Sequence, residues 1–495
     1  MPSSSDLFSR PLALLLVAFS LGCGGSVGAS SEEKAATDPA PKPAPRPEQR
    51  PPATGDQAIV NHLEEYFRTT DDVRRRELVS ELESLPGFDR NRLGEWLHRM
   101  DLWPALEPGI HELEIPVGYG HRRHVTLRVP KGYDPRRPWP LILALHPSGG
   151  SGDSFLPVVV RLLGDRADQY LIAAPTHYRQ TVLDAPPPFT PEHPVMLQVL
   201  RQTVHVDSDR VYPVGYSLGG YAAWTLALLH SDLYAGAVSM ASSYGLPPDV
   251  EGLWRAFAGN LRSLPVLHVW GTQDGLAVPG LEGRPSSVGS MSELNRRLSG
   301  EIRRLHLNVL DRPVAGAGHG GATPARAELF EVLEGERPHY PSEVSHVFRH
   351  IHQASAYWLE GHRWVGDAWG AGGISVEPQR GENRREAQSR AVLELLGRLE
   401  GKVSDRSVTV TSRHLDDLTV WLSGELVDLH QPVTVQVDGQ LVHQAPVVAD
   451  LGVALAQAAR TWDFDRLRWA GLRVTGGRVR PVTQGTTFPP LIETP

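Results

Sequence analysis

Apolar runs of five to nine residues recur through the middle of the chain, and stretches with helical spacing separate them. The runs cover 138–145, 170–175, 211–215, 234–242, 265–271 and 305–310. Runs without polar alternation are typical of parallel strands buried on both faces. The helical stretches between them, notably 194–205, 217–230 and 290–299, complete the pattern. Strands alternating with helices predict an α/β fold with a doubly wound, mostly parallel sheet.

The regions on either side of this core have different patterns. Residues 56–100 contain three stretches with helical spacing, and HELEIPV and HVTLRVP then alternate as a pair of strands. From 338 to 480 most stretches read as alternating strands, one pair being a hairpin on Asp438-Gly439, which favours a type I′ turn. Residues 383–400 read as a charged helix or an insertion. The sequence therefore predicts a short helical segment before the α/β core and a β-rich region after it.

These patterns, with the leader described below, predict six segments. They are an export signal at 1–23, a Pro-rich linker at 24–54, a helical segment at 55–105, an α/β catalytic domain at 106–337, a β-rich accessory region at 338–480 and a tail at 481–495.

Composition excludes several classes of protein. Apolar residues make up 40% of the 495 and charged residues 21%, as in an ordinary globular protein. The net charge of −8, without a long Lys/Arg run, argues against a nucleic-acid partner. A single cysteine, Cys23, allows neither an internal disulfide nor a cysteine-based zinc site.

The first residues predict export. Arg10 precedes the apolar run PLALLLVAFSL, which is too short to span a bilayer but suits a signal-peptide core. The run ends at Cys23 in a stretch that resembles the lipobox of bacterial lipoproteins, although Ser20 stands where a leucine is usual. The resemblance implies lipidation of Cys23 and a membrane contact through that anchor alone. The alternative is a cleaved, secreted protein. Residues 24–54 predict an extended, semi-rigid tether.

The stretch VYPVGYSLGGYAAW contains the pattern G-x-S-x-G around Ser217. The same pattern occurs at 24–28 with no strand before it and no helix after it, so the glycines alone are not evidence. At Ser217 an apolar strand precedes the serine and a helix-compatible run follows, which is the context of a nucleophile on a tight strand-to-helix turn. The alternative is that Ser217 merely begins a helix. We predict that it is a nucleophile.

A serine nucleophile needs a base and an acid, and suitable residues follow in the order serine, acid, histidine. Asp274 follows the buried run PVLHVWG, and His319 lies in the glycine-rich loop GAGHGG after the next run. Carboxyl ends of parallel strands meet at one edge of an open sheet, so these side chains are expected to lie together. Asp311 is the reserve acid because it is closer to His319 in sequence.

The loop HPSGGSG after the run at 138–145 suits an oxyanion hole. The expected backbone donors are Leu218 and either Ser148 or Gly149. His146 is expected to be structural and to bond backbone.

Other polar and aromatic residues receive structural interpretations. His346, His350 and His352 would form an i, i+4 metal pair only on a helix, and the stretch reads as strand, so no metal or cofactor is expected. Asp207 and Asp209 are expected to order the turn before the nucleophile strand. Four aromatic residues are expected in the core or the pocket wall, namely Tyr216, Tyr221, Trp224 and Trp270.

With these residues in place, 120–335 resembles the esterase branch of the α/β-hydrolase superfamily, including polyhydroxybutyrate-depolymerase-like and feruloyl-esterase-like proteins and prolyl-oligopeptidase catalytic domains. The matching stretches are PLILALHPSGGSGDSF, VDSDRVYPVGYSLGGYAAW, PVLHVWGTQD and GAGHGG. Pro147 replaces the glycine usual in the oxyanion loop. The β-rich region more loosely resembles the tails of some exported bacterial hydrolases.

The resemblance implies cleavage of a small or polymeric ester through an acyl-enzyme, with Ser217 as nucleophile, His319 as base and Asp274 as its orienting acid. Two alternatives stay open. A prolyl-oligopeptidase-type peptidase lacks support because no propeller repeats precede the hydrolase domain. A non-catalytic binding protein on a hydrolase scaffold would not need the three residues. Substrate preference depends on loops 176–193 and 275–292, which give no template.

Overall fold

A computed structural model describes residues 55–118, 121–176, 192–244, 253–276, 289–367 and 376–488. Cys23 and the pattern at 24–28 lie outside these ranges, as do most residues of the stretches 176–193 and 275–292. The proposed lipidation therefore stays a prediction.

The N-terminal segment forms three helices, as predicted, and they are α1 (Asp56–Arg68), α2 (Asp72–Ser84) and α3 (Leu93–His98). Asp71 caps α2 by accepting a hydrogen bond from the Val73 amide, which satisfies one of the free donors at a helix start. Apolar residues such as Leu63 and Leu78 are fully buried on the inner faces of these helices.

The centre of the molecule is an eight-stranded sheet in the order β1-β2-β4-β3-β5-β6-β7-β8. The strands are β1 (Gly109–Gly118), β2 (His121–Val129), β3 (Trp139–Leu145), β4 (Leu171–Pro175), β5 (Val206–Tyr216), β6 (Ala237–Met240), β7 (Val266–Gly271) and β8 (Val309–Val314). Strand β2 runs antiparallel to both neighbours, and β3 to β8 are mutually parallel. The predicted α/β fold class is confirmed.

Helices cover both faces of the sheet and form two separate cores. The helices are α4 (Gly152–Leu163), α5 (Glu192–Thr203), α6 (Leu218–Leu229), α7 (Leu253–Ala258), α8 (Met291–Leu305) and α9 (Arg326–Leu333). On one face α5 to α8 pack on the sheet, and on the other face α4 and α9 do. Strands buried on both sides explain why their sequences are continuously apolar.

The C-terminal region is a sandwich of two five-stranded sheets, in the orders β16-β15-β13-β12-β9 and β10-β11-β14-β17-β18. Its elements are β9 (Glu343–Phe348), β10 (Ser355–Ala356), β11 (Leu359–Trp364), α10 (Arg384–Glu394), β12 (Gly397–Ser404), β13 (Ser407–Arg413), β14 (Leu415–Leu422), β15 (Val433–Val437), β16 (Gln440–Ala445), α11 (Leu451–Thr461), β17 (Ala470–Thr475) and β18 (Arg478–Pro481). Both sheets contribute to one apolar core. The hairpin turn at Asp438 and Gly439 has φ angles of 50° and 77°, as a type I′ turn requires.

Two local predictions are wrong. The run at 305–310 is not one strand, because α8 continues to Leu305 and His306 ends it at φ 50°, so β8 starts at Val309. Asp207 and Asp209 do not precede the nucleophile strand, because β5 already begins at Val206.

The predicted β-rich region is confirmed, and it also contains a helix, α11, that the sequence patterns do not single out. Leu451, Leu455 and Ala458 on one side of that helix enter the same core as α1, α2 and α3. Short apolar stretches do not separate a buried helix from a strand by pattern alone.

Among the described residues, no helix combines the length and the apolar character that crossing a bilayer requires.

Candidate active site

Ser217 lies on the sharp turn between β5 and α6. Its φ of 54° and ψ of −115° are unusual for a residue other than glycine. Hydrogen bonds fix the turn from both sides, because the Ser217 amide donates to the Met240 carbonyl at 2.8 Å and the Tyr221 amide donates to the Ser217 carbonyl at 3.0 Å. The sheet and the helix therefore hold a strained backbone at this residue, as is common at functional sites.

The flanking glycines are required by the close approach of neighbouring backbone. A Cβ atom on Gly215 would lie 1.9 Å from the carbonyl oxygen of Gly219. A Cβ atom on Gly219 would lie 1.8 Å from the carbonyl oxygen of Leu145 at the end of β3. Any side chain at either position would collide with main chain, which cannot move aside as a flexible side chain can.

The structure brings together the three residues that the sequence singles out. The Ser217 hydroxyl lies 2.9 Å from Nε2 of His319, and Nδ1 of His319 lies 2.8 Å from Oδ2 of Asp274. Since a carboxylate only accepts, Nδ1 carries the proton and donates to Asp274, and Nε2 accepts from the serine. Asp274 is fully buried, and its other oxygen accepts from the Leu276 amide at 3.1 Å. His319 is half-buried, so the serine end of the chain of hydrogen bonds faces outward.

The loops that carry Asp274 and His319 are bonded to each other. The Gln273 amide donates to the Ala317 carbonyl at 2.9 Å, and the Gly316 amide donates to the Thr272 hydroxyl at 2.9 Å. These bonds fix the distance between acid and base independently of the serine.

Tyr216 holds the histidine loop from a third side. Its hydroxyl donates to the backbone carbonyl of His319, and its ring meets the imidazole edge-on with centroids 6.0 Å apart. Burial raises the pKa of Tyr216, which keeps the hydroxyl protonated as a donor. From the sequence alone, Tyr216 is expected only in the core or the pocket wall. Its position directly before Ser217 is the signal that could have assigned it to the site.

The reserve acid lies elsewhere. Asp311 is on β8 and accepts a hydrogen bond from the Trp270 indole at 2.9 Å. The carboxylate bonded to His319 is Asp274, so the choice between the two acids rests on a direct contact.

The predicted oxyanion loop lies beside the nucleophile. Leu218 is the first residue of α6, where the helix offers no acceptor for the amide, so this N–H is available to a substrate oxygen. The loop begins where Gly219 packs against Leu145, and it contains Ser148 and Gly149, the latter at φ 73°. His146 donates through Nδ1 to the Pro147 carbonyl at 2.7 Å, the backbone bonding that was predicted for it.

The three histidines considered for a metal do not share a helix. His346 is buried on β9 and bonds the Gln353 carbonyl, whereas His350 precedes a short turn and His352 lies within it. A different group, Glu112, His124 and Asp153, has potential ligand atoms within 4.8 Å of one another. His124 there already pairs with Glu112 and Glu114 at the surface.

Two of the remaining candidates are structural. Trp224 is fully buried and donates to Nδ1 of His268 at 3.2 Å. Asp209 accepts from Arg337 and His339, and it thereby bonds the nucleophile strand to the segment that leads into the β-rich region.

Parts of the chain are similar to known proteins. No family model matches the chain. A protein named "Putative esterase NocK" from Nocardia uniformis subsp. tsuyamanensis is 28% identical over 168 residues, which are 31% of this chain and 46% of that protein. The chain therefore spans about half the length of this relative.

Solved structures that resemble the chain include a thermostable esterase, with 22% identity and a TM-score of 0.34 over 46% of this chain and 63% of the other. The ferulic acid esterase AmCE1/Fae1A from Anaeromyces mucronatus has 16% identity and a TM-score of 0.32 over 48% and 94%. The fluorophosphonate-binding serine hydrolase FphF of Staphylococcus aureus has 15% identity and a TM-score of 0.33 over 46% and 96%.

Proposed function

We propose that this protein is a serine hydrolase that cleaves carboxylic esters. The observation that carries the proposal is the continuous chain of hydrogen bonds from buried Asp274 through His319 to Ser217, with the serine on a strained turn. The similarity to a protein named as an esterase supports an ester as the substrate.

The geometry supports the following steps. His319 takes the Ser217 proton at Nε2 while the serine oxygen bonds to the ester carbonyl carbon, whose oxygen becomes an oxyanion. The amide of Leu218 and that of Ser148 or Gly149 would donate to this oxyanion. The bond to the alcohol then breaks, and His319 protonates the leaving alcohol. A water molecule then attacks the acyl-enzyme through the same steps, which releases the carboxylic acid and restores Ser217.

Asp274 would act on the imidazole alone. It fixes the tautomer that leaves Nε2 free to accept a proton, and its charge stabilises the imidazolium that forms in each half-reaction. Every step uses protein groups and water, so the reaction as proposed needs no cofactor.

The test is covalent labelling with a fluorophosphonate combined with hydrolysis of p-nitrophenyl acetate. We expect one label at Ser217 in the wild type, and neither label nor turnover in Ser217→Ala. Ser80→Ala is the matched control, because Ser80 is exposed on α2 and bonds only within its own helix. Labelling at another residue, or turnover that survives in Ser217→Ala, would contradict the proposal.

The same preparations separate the alternative functions. A short X-Pro amide offered beside the ester tests the peptidase, which amide turnover exceeding ester turnover would favour. A wild-type protein that is neither labelled nor active on the ester or the amide would favour a non-catalytic binding protein.

We further propose that the protein is exported and anchored through a lipid on Cys23. Incorporation of a labelled fatty acid should be lost in Cys23→Ala and kept in Ser26→Ala. Equal incorporation in both variants, or none in the wild type, would contradict the anchor.

A further inference from the structure

Away from the proposed catalytic site, a cavity of about 210 Å³ (the second cavity) lies where the α/β core meets the β-rich sandwich. Its walls come from α5, the turn Ser231–Leu233 after α6, strand β11 and the segment that follows α11. Ser217 precedes the first residue of α6, whereas the cavity adjoins its last turn. The 12 residues of that helix separate the two sites by about 18 Å.

Seven of the 18 residues that line the cavity carry a charged carboxylate or guanidinium group, and arginines outnumber carboxylates. The lining cations are Arg201, Arg460, Arg466 and Arg468, and the lining carboxylates are Asp232, Glu360 and Asp463. Four arginines thus face three carboxylates. Arginine stays protonated in proteins, so the excess charge cannot be removed by loss of a proton.

The arginines are not equally well paired. Glu360 binds Arg460 at 2.9 Å and Arg468 at 2.7 Å. Asp232 binds Arg466 at 3.1 Å. Asp463 binds Arg337, outside the cavity wall, at 2.7 Å, and only its other oxygen lies near Arg201, 3.6 Å from Nη2. Arg201 therefore has the weakest counter-charge of the group.

Some N–H groups of these arginines also lack hydrogen-bond partners among the described residues. Within the described part of the chain, Nε and Nη2 of Arg201 and Nη1 of Arg466 have no hydrogen-bond acceptor. Only 5% of each of these two side chains is exposed. Burial accordingly lowers the pKa of both guanidinium groups. Buried charges and donors in native proteins are normally paired, because an unpaired one is strongly destabilising.

We propose that this cavity binds a small oxyanion, a carboxylate or phosphate group, against Arg201 and Arg466. Guanidinium groups present paired N–H donors that match the oxygens of carboxylate and phosphate. The volume equals about seven water molecules at about 30 Å³ each, which admits inorganic phosphate or a short carboxylate with some water. Half-buried residues such as Gln198 and Ser355 also line the cavity and join it to the surface.

An anion there would bridge two parts of the fold. Arg201 is on α5 of the α/β core, and Arg466 belongs to the segment between α11 and β17. A ligand bound only by the folded state raises the melting temperature in proportion to the logarithm of its concentration. The binding is independent of the proposed ester hydrolysis.

The test is calorimetric titration and thermal unfolding of the full chain with inorganic phosphate, and separately with acetate, at ionic strength matched with sodium chloride. We expect binding of one anion per chain and a melting temperature raised by about 2 °C or more at saturation. Binding of either anion supports the proposal, and the stronger of the two identifies the preferred group. Absence of binding by both would overturn it.

The variant Arg201→Gln should abolish the response while melting no lower than the wild type in anion-free buffer, because it removes an under-paired buried charge. Arg312→Gln is the control, since Arg312 forms a surface pair with Glu328 and its side chain is 42% exposed. An undiminished response in Arg201→Gln would overturn the proposal. If that variant does not fold, Arg466→Lys replaces it, and titration of the wild type still decides.

Discussion

Asp274 and Glu360 are both buried carboxylates, one at the proposed catalytic edge of the sheet and one beside the second cavity. Asp274 accepts from the imidazole of His319 and from a backbone amide. Glu360 accepts from Arg460, Arg468 and the indole of Trp421. Each is satisfied by hydrogen bonds, as a buried charge must be.

The two carboxylates differ in what their partners can do. An imidazole can accept and release a proton, so the charge beside Asp274 can change during a reaction. Guanidinium groups keep their charge, so the environment of Glu360 is fixed. Burial of a carboxylate therefore does not by itself indicate catalysis. The ability of the partner to change its protonation state separates an acid that serves chemistry from one that serves architecture.

The largest expected effect tests the catalytic side of this comparison. Asp274→Asn should lower kcat for an ester by about 10⁴-fold, because the amide no longer fixes the imidazole tautomer or stabilises the imidazolium. Rates of p-nitrophenyl acetate hydrolysis measure this effect. Asp311→Asn is the control and should keep nearly full activity. A comparable loss in Asp311→Asn would reverse the assignment of the acid.

Glu360→Gln tests the architectural side. It should lower the free energy of unfolding by about 3–5 kcal/mol, because two arginines lose their buried counter-charge, while kcat of the folded enzyme stays unchanged. Urea denaturation measures this loss. Glu400→Gln, in a surface pair with Arg398, should cost about 1 kcal/mol or less. A lowered kcat in folded Glu360→Gln would contradict a purely structural role for Glu360.

The loss of stability in Glu360→Gln should depend on pH, because Glu360 interacts with Arg460 and Arg468. Burial disfavours the charged form, but Arg460 and Arg468 outweigh it and hold the pKa of Glu360 well below its usual range. A depressed carboxyl pKa stabilises the fold above the pKa of the unfolded chain, about 4.3, and this contribution is lost as the pH falls further. The difference in unfolding free energy between wild type and Glu360→Gln should therefore narrow below about pH 4.

Gly219→Ala should destabilise the protein by about 3 kcal/mol, since its Cβ atom would collide with the Leu145 carbonyl. It should also displace Ser217 and reduce activity. Gly300→Ala in α8 is the matched control, because a Cβ atom there meets nothing within 4 Å and alanine favours a helix interior by up to about 1 kcal/mol. In thermal unfolding, we expect the melting temperature to fall in Gly219→Ala and to rise in Gly300→Ala.

The smallest expected effect concerns His205, whose ring stacks on Trp103 with centroids 3.6 Å apart. Burial lowers the pKa of His205 to about 4. The unfolded chain, with a pKa near 6.5, binds more protons between these values, so stability should fall as the pH drops from about 6.5 to 4. His205→Gln should reduce this loss by about 2 kcal/mol in urea denaturation.

The catalytic edge could be predicted because each of its residues is marked locally. Ser217 and Asp274 follow buried strands, His319 follows the edge strand β8, and each of the three has a glycine within two residues. Parallel strands end at one edge of a sheet. The sequence did not predict the distances between these three side chains or the hydrogen bond from Tyr216 to the His319 carbonyl. Both depend on how separate loops pack against one another.

The charge network around the second cavity could not be predicted. Arg201 and Asp463 are 262 positions apart, and each reads as an ordinary polar residue in its own stretch. Pairing at such a separation is set by docking of the sandwich on the α/β core, for which local periodicity carries no signal. The misplaced start of β8 has a local cause, because the apolar residues at the end of α8 resemble the beginning of a strand.

The shared core of α1, α2, α3 and α11 has a consequence for the order of folding during synthesis. Helices α1, α2 and α3 bury their apolar faces against Leu451 and Leu455, which are made almost 400 residues later. At about 5–20 residues per second, the N-terminal helices wait tens of seconds for their partner. During that interval their apolar faces are exposed, and a chaperone or an export factor that binds such faces would find its target there.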